Sequence, residues 1–280
     1  MRFTATVLLW LLTTAALAVA VPAAWTQKNI IDADGYAAMA EKSANDPALR
    51  AAVASELATR AMALIKQRGY TADPAEVHAV AAAYTASPSF PPHFADANRL
   101  VHSWMFAGTG AQSEDHQLVI NVAPMLNDPV FDPLLIRLDV AVPADVTVPV
   151  AVSTPKVLQP GKLRPLATWG LWMGIVVAAL TGVCALLTLA TARSRGRGLA
   201  GLGVSALLVG AAGWAAIEVA RRRINDALNY TTGDTRRIAE VMVGEAENSL
   251  HHWLNLTLVA GGVLVVFGVF VALLGGLRKR

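Results

Sequence analysis

The stretch "LATWGLWMGIVVAALTGVCALLTLATARSRGRGLAGLGVSALLVGAAGWAAI", residues 166–217, consists of two apolar runs separated by three arginines. Each run is free of charge over about 20 residues, the length a helix needs to cross about 30 Å of hydrocarbon. Lipid offers the backbone no hydrogen bonds, so each run is expected to be a helix. Two further segments share this character, at residues 1–24 and 253–277. The composition agrees: 55% of residues are hydrophobic and 15% charged, and the mean hydropathy is +0.47. Soluble domains carry about a quarter charged residues.

The arginines between the runs set the expected orientation. The short pieces proposed as cytoplasmic are the start of the chain, the loop at 193–197 and the tail at 278–280. They hold Arg2, Arg193, Arg195, Arg197, Arg278, Lys279 and Arg280 and no acidic residue. All 20 acidic residues fall within 25–165 and 218–252. Positive residues stay inside, so both termini are expected in the cytoplasm and the two acidic segments outside it. Arg221, Arg222 and Arg223 stand just beyond the third span and oppose the rule locally. They are assigned instead as a contact for anionic lipid headgroups.

The spans thus divide the chain into eight pieces. A transmembrane anchor at 1–24 leads to an extracytoplasmic domain at 25–165. A transmembrane helix at 166–192 is followed by the basic loop at 193–197 and a second helix at 198–217. An extracytoplasmic helical loop at 218–252 precedes the last helix at 253–277 and the tail at 278–280. Small residues at Ala18 and Ala20 offer a cleaved signal peptide as the alternative for the first segment. Its apolar run exceeds the usual 7–15-residue core of such peptides, which favours a retained anchor.

The fold class expected is a membrane protein with four transmembrane α-helices and an α+β external domain, helical first and ending in a small sheet. Asp46-Pro47 and Asp73-Pro74 each place an N-cap acid before a first-turn proline. They open helices that Gly69 and "SPSFPPHF" end. A third helix is expected from about Ala95 to Phe106, ended by "GTG". In the second half "HQLVINVAP", "LLIRLDVAV" and "DVTVPVAV" read as short strands, with Pro149 confined to an edge. In the loop at 218–252, Asp234 is placed to cap a helix bearing Ile238, Val241, Met242 and Leu250, giving a helical hairpin.

Residues that could carry chemistry form no recognisable set. "DADGYAAMAEKS" fails as a calcium loop: its sixth position is Ala37 and its twelfth is Ser43. Asp32 and Asp34 are read as helix-start acids. The six histidines lack metal-ligand spacing, and Glu114-Asp115-His116 has no nucleophile motif beside it. Asn229-Tyr230-Thr231 matches a glycosylation acceptor, a pattern that arises often by chance. "GLAGLG" lies within a span, which excludes a phosphate loop. No catalytic residue, metal or cofactor is expected. The single cysteine, Cys184, excludes an intramolecular disulfide, and the net charge of +3, concentrated at the span edges, excludes a nucleic-acid partner.

The pattern with most content lies in the second span. Gly170, Gly174, Ala178 and Gly182 recur every four residues, a ridge of small side chains that lets helices approach closely. These residues are assigned to helix packing, either within a four-span bundle or against a partner. Besides the bilayer, the partner expected is another membrane or envelope protein, or a second copy of the chain. The spans hold no buried acid–base relay, which argues against a pump or proton-coupled carrier.

A basic start, an anchor ending in Trp25, "DADGYAAMAEKSANDPALRAAVASEL", "LVINVAPML" and three C-terminal spans with an Arg-rich loop together resemble one family. That family is the conserved, uncharacterised actinobacterial (mycobacterial-type) integral membrane proteins with an N-terminal anchor and an extracytoplasmic domain. Its motif runs from a tryptophan to D-x-D-x-Y/W and a later Asp-Pro. Here Gly35 stands between Asp34 and Tyr36, as the pattern permits. The resemblance implies a plasma-membrane protein and supplies no activity or site residue. The function expected is non-enzymatic: an envelope protein whose external domain binds a partner protein or envelope component. The alternatives are an accessory subunit of a transport or lipid-handling system and, last, a membrane-bound hydrolase.

Overall fold

A computed structural model describes residues 2–67, 69–107, 118–121, 125, 127–137, 147–150, 163–229 and 233–277. The helices are α1 (Arg2–Thr26), α2 (Ala33–Ser43), α3 (Pro47–Gln67), α4 (Pro74–Ala86), α5 (Phe90–Ala107), α6 (Asp132–Arg137), α7 (Arg164–Thr191), α8 (Arg195–Leu228) and α9 (Gly233–Leu277). A π-helical turn, Gln27–Ile31, follows α1. Four helices are long and apolar enough to cross a membrane: Thr4–Ile31, Arg164–Thr191, Arg195–Leu228 and Gly233–Gly275. These four long apolar helices are compatible with a membrane protein.

The chain divides into two compact units. The first comprises Met1–Ile30, Thr168–Asn225 and Glu247–Arg280, and the second Ile31–Ala167 and Asp226–Ala246.

In the first unit, α8 and α9 run antiparallel. Their contacts pass from Gly196 beside Gly268 and Ala272 at one end to Gly213 beside Leu254 at the other. Helix α1 lies against both α7 and α8, through Thr13 to Thr188 and Thr14 to Ser205.

The second unit is helical, and the expected α+β class is wrong. Among the described residues, strand is confined to one antiparallel pair of four residues each, β1 (Leu118–Asn121) and β2 (Thr147–Val150). Two short strands make no layer to pack helices on. The stretch read as the middle strand begins instead as α6, opened by Asp132 and Pro133. Asp128 and Pro129 open the helical turn before it, the Asp128 carboxylate accepting from the Val130 N–H at 3.0 Å. Asp-Pro is the same helix-opening device as at 46–47 and 73–74, and it overrides the apolar run that follows. The rest of that stretch, residues 138–142, lies outside the described residues. So do "GTG", Glu114-Asp115-His116, most of the entry linker, Tyr230-Thr231 and the tail at 278–280.

Other helix starts follow the sequence closely. The Asp32 side chain accepts from Gly35 N–H at 2.8 Å, Asp46 from Ala48 at 2.7 Å and Asp73 from Ala75 at 2.9 Å. Gly69, with φ 79°, lies just past the end of α3, where a residue with a Cβ would be strained. Helix α5 starts earlier than expected, at Phe90, because Pro91 and Pro92 occupy its first turn, where a missing N–H costs nothing.

The core of this unit joins sequence-distant pieces. Ala44, Leu49, Val53, Tyr84 and Phe90 are buried together, and Met125, Phe131, Ile238, Val241 and Met242 pack on them. A second cluster, Ala54, Ala58, Val77 and Ala81, closes α3 on α4. The helical face expected at 238–242 therefore belongs to the domain core. The expected hairpin is also longer: α8 continues without a break from the third span to Leu228, and α9 runs unbroken from Gly233 into the fourth.

Candidate functional site: a small-residue ridge and an aromatic–arginine band

Among the described residues, nothing packs closely on Gly174 or Gly182 of the α7 ridge. A Cβ built on Gly174 or Gly182 would touch nothing within 4 Å, Ala178 is exposed, and Gly170 is half-buried. Close approach is instead made by α8 and α9. A Cβ at Gly203 would stand 2.6 Å from the Gly261 carbonyl oxygen, and one at Gly196 2.6 Å from that of Gly268. At Gly210 it would lie 2.6 Å from the Leu258 side chain. Only glycine admits a neighbouring backbone at such distances. The glycines at 261 and 268 and the pair Ala206/Gly210 carry this seam.

Hydroxyls hold α1 to its neighbours. Thr6 donates to the Thr191 carbonyl at 3.2 Å, and the Trp10 indole N–H to the Gly201 carbonyl at 2.8 Å. Thr14 and Ser205 hydroxyls meet at 2.7 Å, and Thr13 and Thr188 at 3.4 Å. Thr13, Thr188 and Ser205 are buried. The charge and small-residue patterns of the spans do not by themselves assign these hydroxyls a bonding role. Their signal was present as Thr and Ser inside otherwise apolar spans, where such side chains bond across helices.

Toward the other end of this unit lies a band of tryptophans and charges. The Trp25 indole donates to Ser249 Oγ at 3.2 Å. Trp214 donates to Asn255 Oδ1 at 3.2 Å and stacks on His251 at 3.9 Å. The Lys28 ammonium lies 5.9 Å from the centre of the Trp253 ring. Farther along α8, Arg222 faces Glu218 at 3.8 Å and Arg221 faces Glu247 at 3.7 Å. Arg223 is exposed.

The second unit contains its own polar cluster. Tyr84 Oη and His93 Nδ1 are 3.0 Å apart. Ser89 donates to the buried Asp128 carboxylate, and Ser87 and Ser89 hydroxyls meet at 2.8 Å. Burial, and then the charge of Asp128, push the Tyr84 phenol well above its ordinary range. Held protonated, the phenol is a donor for a neutral His93 ring. Histidine is thereby paired with tyrosine through Nδ1, and serine with aspartate. The cluster reads as a brace across α4, α5 and the turn at Asp128.

Among the other histidines, His102 stacks on Phe106 at 4.4 Å and faces Tyr36 at 5.4 Å. Burial pushes the Tyr36 phenol up as well. Asp34 stands in the first turn of α2 and takes an ion pair from Arg99 of α5 at 3.3 Å. Among the described residues, no three His, Cys, Asp or Glu side chains are grouped to hold a metal ion. No family model matches the chain, and no curated protein or solved structure matches it either.

Proposed function

We propose that this chain is a non-enzymatic integral membrane protein of the cell envelope that works by assembling with a partner. In this reading it sits in the plasma membrane with both termini cytoplasmic. Residues 31–167 and 226–246 lie outside and present a surface to a partner protein or envelope component. The seven basic residues at the start of the chain, in the loop at 193–197 and in the tail support that orientation.

The reading rests on the open ridge of α7. Gly174, Ala178 and Gly182 form a face of small side chains that no helix among the described residues covers. Lipid chains fit such a face no better than a bulky one, whereas a second helix gains packing from it. The partner is another membrane or envelope protein, or a second copy. An accessory role in a transport or lipid-handling system is the second reading, favoured by the arginine band.

Native membranes carrying Ala178→Cys, crosslinked with a short bifunctional reagent and purified, test the assembly. One stoichiometric partner, or a dimer of the chain, is the expected product; an uncrosslinked monomer at native abundance sinks the proposal. Orientation is checked by labelling Ala51→Cys and Ser194→Cys with an impermeant thiol reagent. Label at position 51 from outside and at 194 only after lysis is expected, and the reverse pattern refutes the orientation.

A further inference from the structure

We propose that Arg221, Arg222 and Arg223, with Lys28, form a collar that binds the phosphate of an anionic phospholipid. The inference is independent of the partner reading and of which side of the membrane the collar occupies.

Three tryptophans on three helices mark a common level. Trp25 on α1 bonds Ser249 on α9, Trp214 on α8 bonds Asn255 on α9, and Lys28 lies over Trp253. Tryptophan gathers where hydrocarbon gives way to headgroups, so this band locates the interface. Arg221 follows Trp214 by two helical turns, about 10 Å along the axis. That distance carries the arginine backbone past the hydrocarbon edge, and a long side chain can reach back onto the phosphate layer.

The guanidinium groups are not saturated by protein. Arg221 is 3.7 Å from Glu247 and Arg222 is 3.8 Å from Glu218, both beyond hydrogen-bond distance. Their side chains are 60% and 78% exposed. Each guanidinium has five N–H donors in a planar fork that matches phosphate oxygens. Glu218 and Glu247 offset only part of the charge of three arginines and Lys28. Successive residues fan around a helix, so the three forks form a collar and not one closed pocket. Such a collar selects for negative charge on the lipid and not for the shape of its headgroup.

The full chain, purified in a mild detergent, is mixed with phosphatidylglycerol or with phosphatidylcholine, and retained lipid is counted by native mass spectrometry. Phosphatidylglycerol is expected to be retained, and phosphatidylcholine is not. The variant Arg221→Gln/Arg222→Gln/Arg223→Gln is expected to retain at least threefold less phosphatidylglycerol, while the same change at Arg193, Arg195 and Arg197 leaves the collar's share intact. Equal retention of the two lipids, or by wild type and the collar variant, overturns the proposal. Displacement of the lipid by millimolar inorganic phosphate assigns a free-anion site and overturns the lipid assignment. If the triple variant misfolds, single variants Arg222→Gln and Arg223→Gln carry the test, and unchanged retention in both overturns it.

Discussion

The indole of Trp10 donates its hydrogen bond to the backbone carbonyl of Gly201, 2.8 Å away on another span. Gly201 has no Cβ, and one built there would lie 3.6 Å from the indole ring. The first apolar segment is seated against α8 by this bond, whose donor is the indole and whose acceptor is main chain. Trp10→Phe keeps the ring and removes the donor, leaving the carbonyl of Gly201 without it. Interhelical bonds in lipid average about 0.6 kcal/mol with a maximum near 1.7. A loss of about 1 kcal/mol in detergent-induced unfolding is expected, with a similar loss for Thr14→Val.

A segment bonded at Thr6, Trp10, Thr13 and Thr14 is a working part of the bundle. The purified protein should accordingly retain it. Intact mass spectrometry should show residues 1–24 in place, and a mass corresponding to loss of that segment would contradict this prediction.

Gly203 and Gly174 make a matched pair of tests. Leucine at 203 must push α8 away from the Gly261 carbonyl, with an overpacking cost of about 2 kcal/mol or more. A Cβ at 174 would meet nothing within 4 Å among the described residues, so leucine there should leave the stability of the isolated protein within about 0.5 kcal/mol. It should nonetheless weaken crosslinking through Ala178→Cys. Equal destabilisation by both substitutions would show the α7 ridge to be internal.

Tyr84 makes the second unit sensitive to alkali. Its pKa in the folded chain is raised by burial and by Asp128, so the native state holds a proton that the unfolded chain releases near pH 10. Stability from this group is complete below that pH and is lost as pH rises from there through the folded value. Thermal unfolding followed between pH 8 and 11 should show that decline, and Tyr84→Phe should flatten it. At neutral pH the same variant loses the bond to His93, about 1 kcal/mol.

Much of this architecture could be read from residue types, and the failures are specific. Absence of charge over a span's length is a long signal with few competing explanations, so the four apolar helices were visible. Asp46-Pro47 and Asp73-Pro74 were equally plain because long alanine-rich helices follow them. At Asp128-Pro129 and Asp132-Pro133 the same device precedes a short apolar run, where a strand and a helical turn share one pattern. The packing of α8 on α9 was out of reach for another reason. Glycines at 203 and 210 and at 261 and 268 can be listed from sequence, but which pairs meet depends on helix register. Gly174 shows the converse, since it belongs to the most regular small-residue series in the chain and yet no described helix packs closely on it.

Ile238, Val241 and Met242 complete a core whose other members lie between Ala44 and Phe131. The Val241→Asp variant places a charge there and should lower the stability of the unit by about 2 kcal/mol or more. A fragment of residues 31–167 alone should show the broad, low-amplitude melting of an unfinished core; a sharp cooperative transition would refute this.

The same feature governs the order of biogenesis. During synthesis, the two long apolar helices α7 and α8 emerge before the segment that finishes the domain. At about 5–20 residues per second, the gap from Arg164 to Met242 lasts roughly 4–15 s. Throughout that interval Leu49, Val53 and Tyr84 lack the residues that will cover them. The nascent domain should then expose that apolar surface, and its core closes only once the chain has been made through α7, α8 and the start of α9.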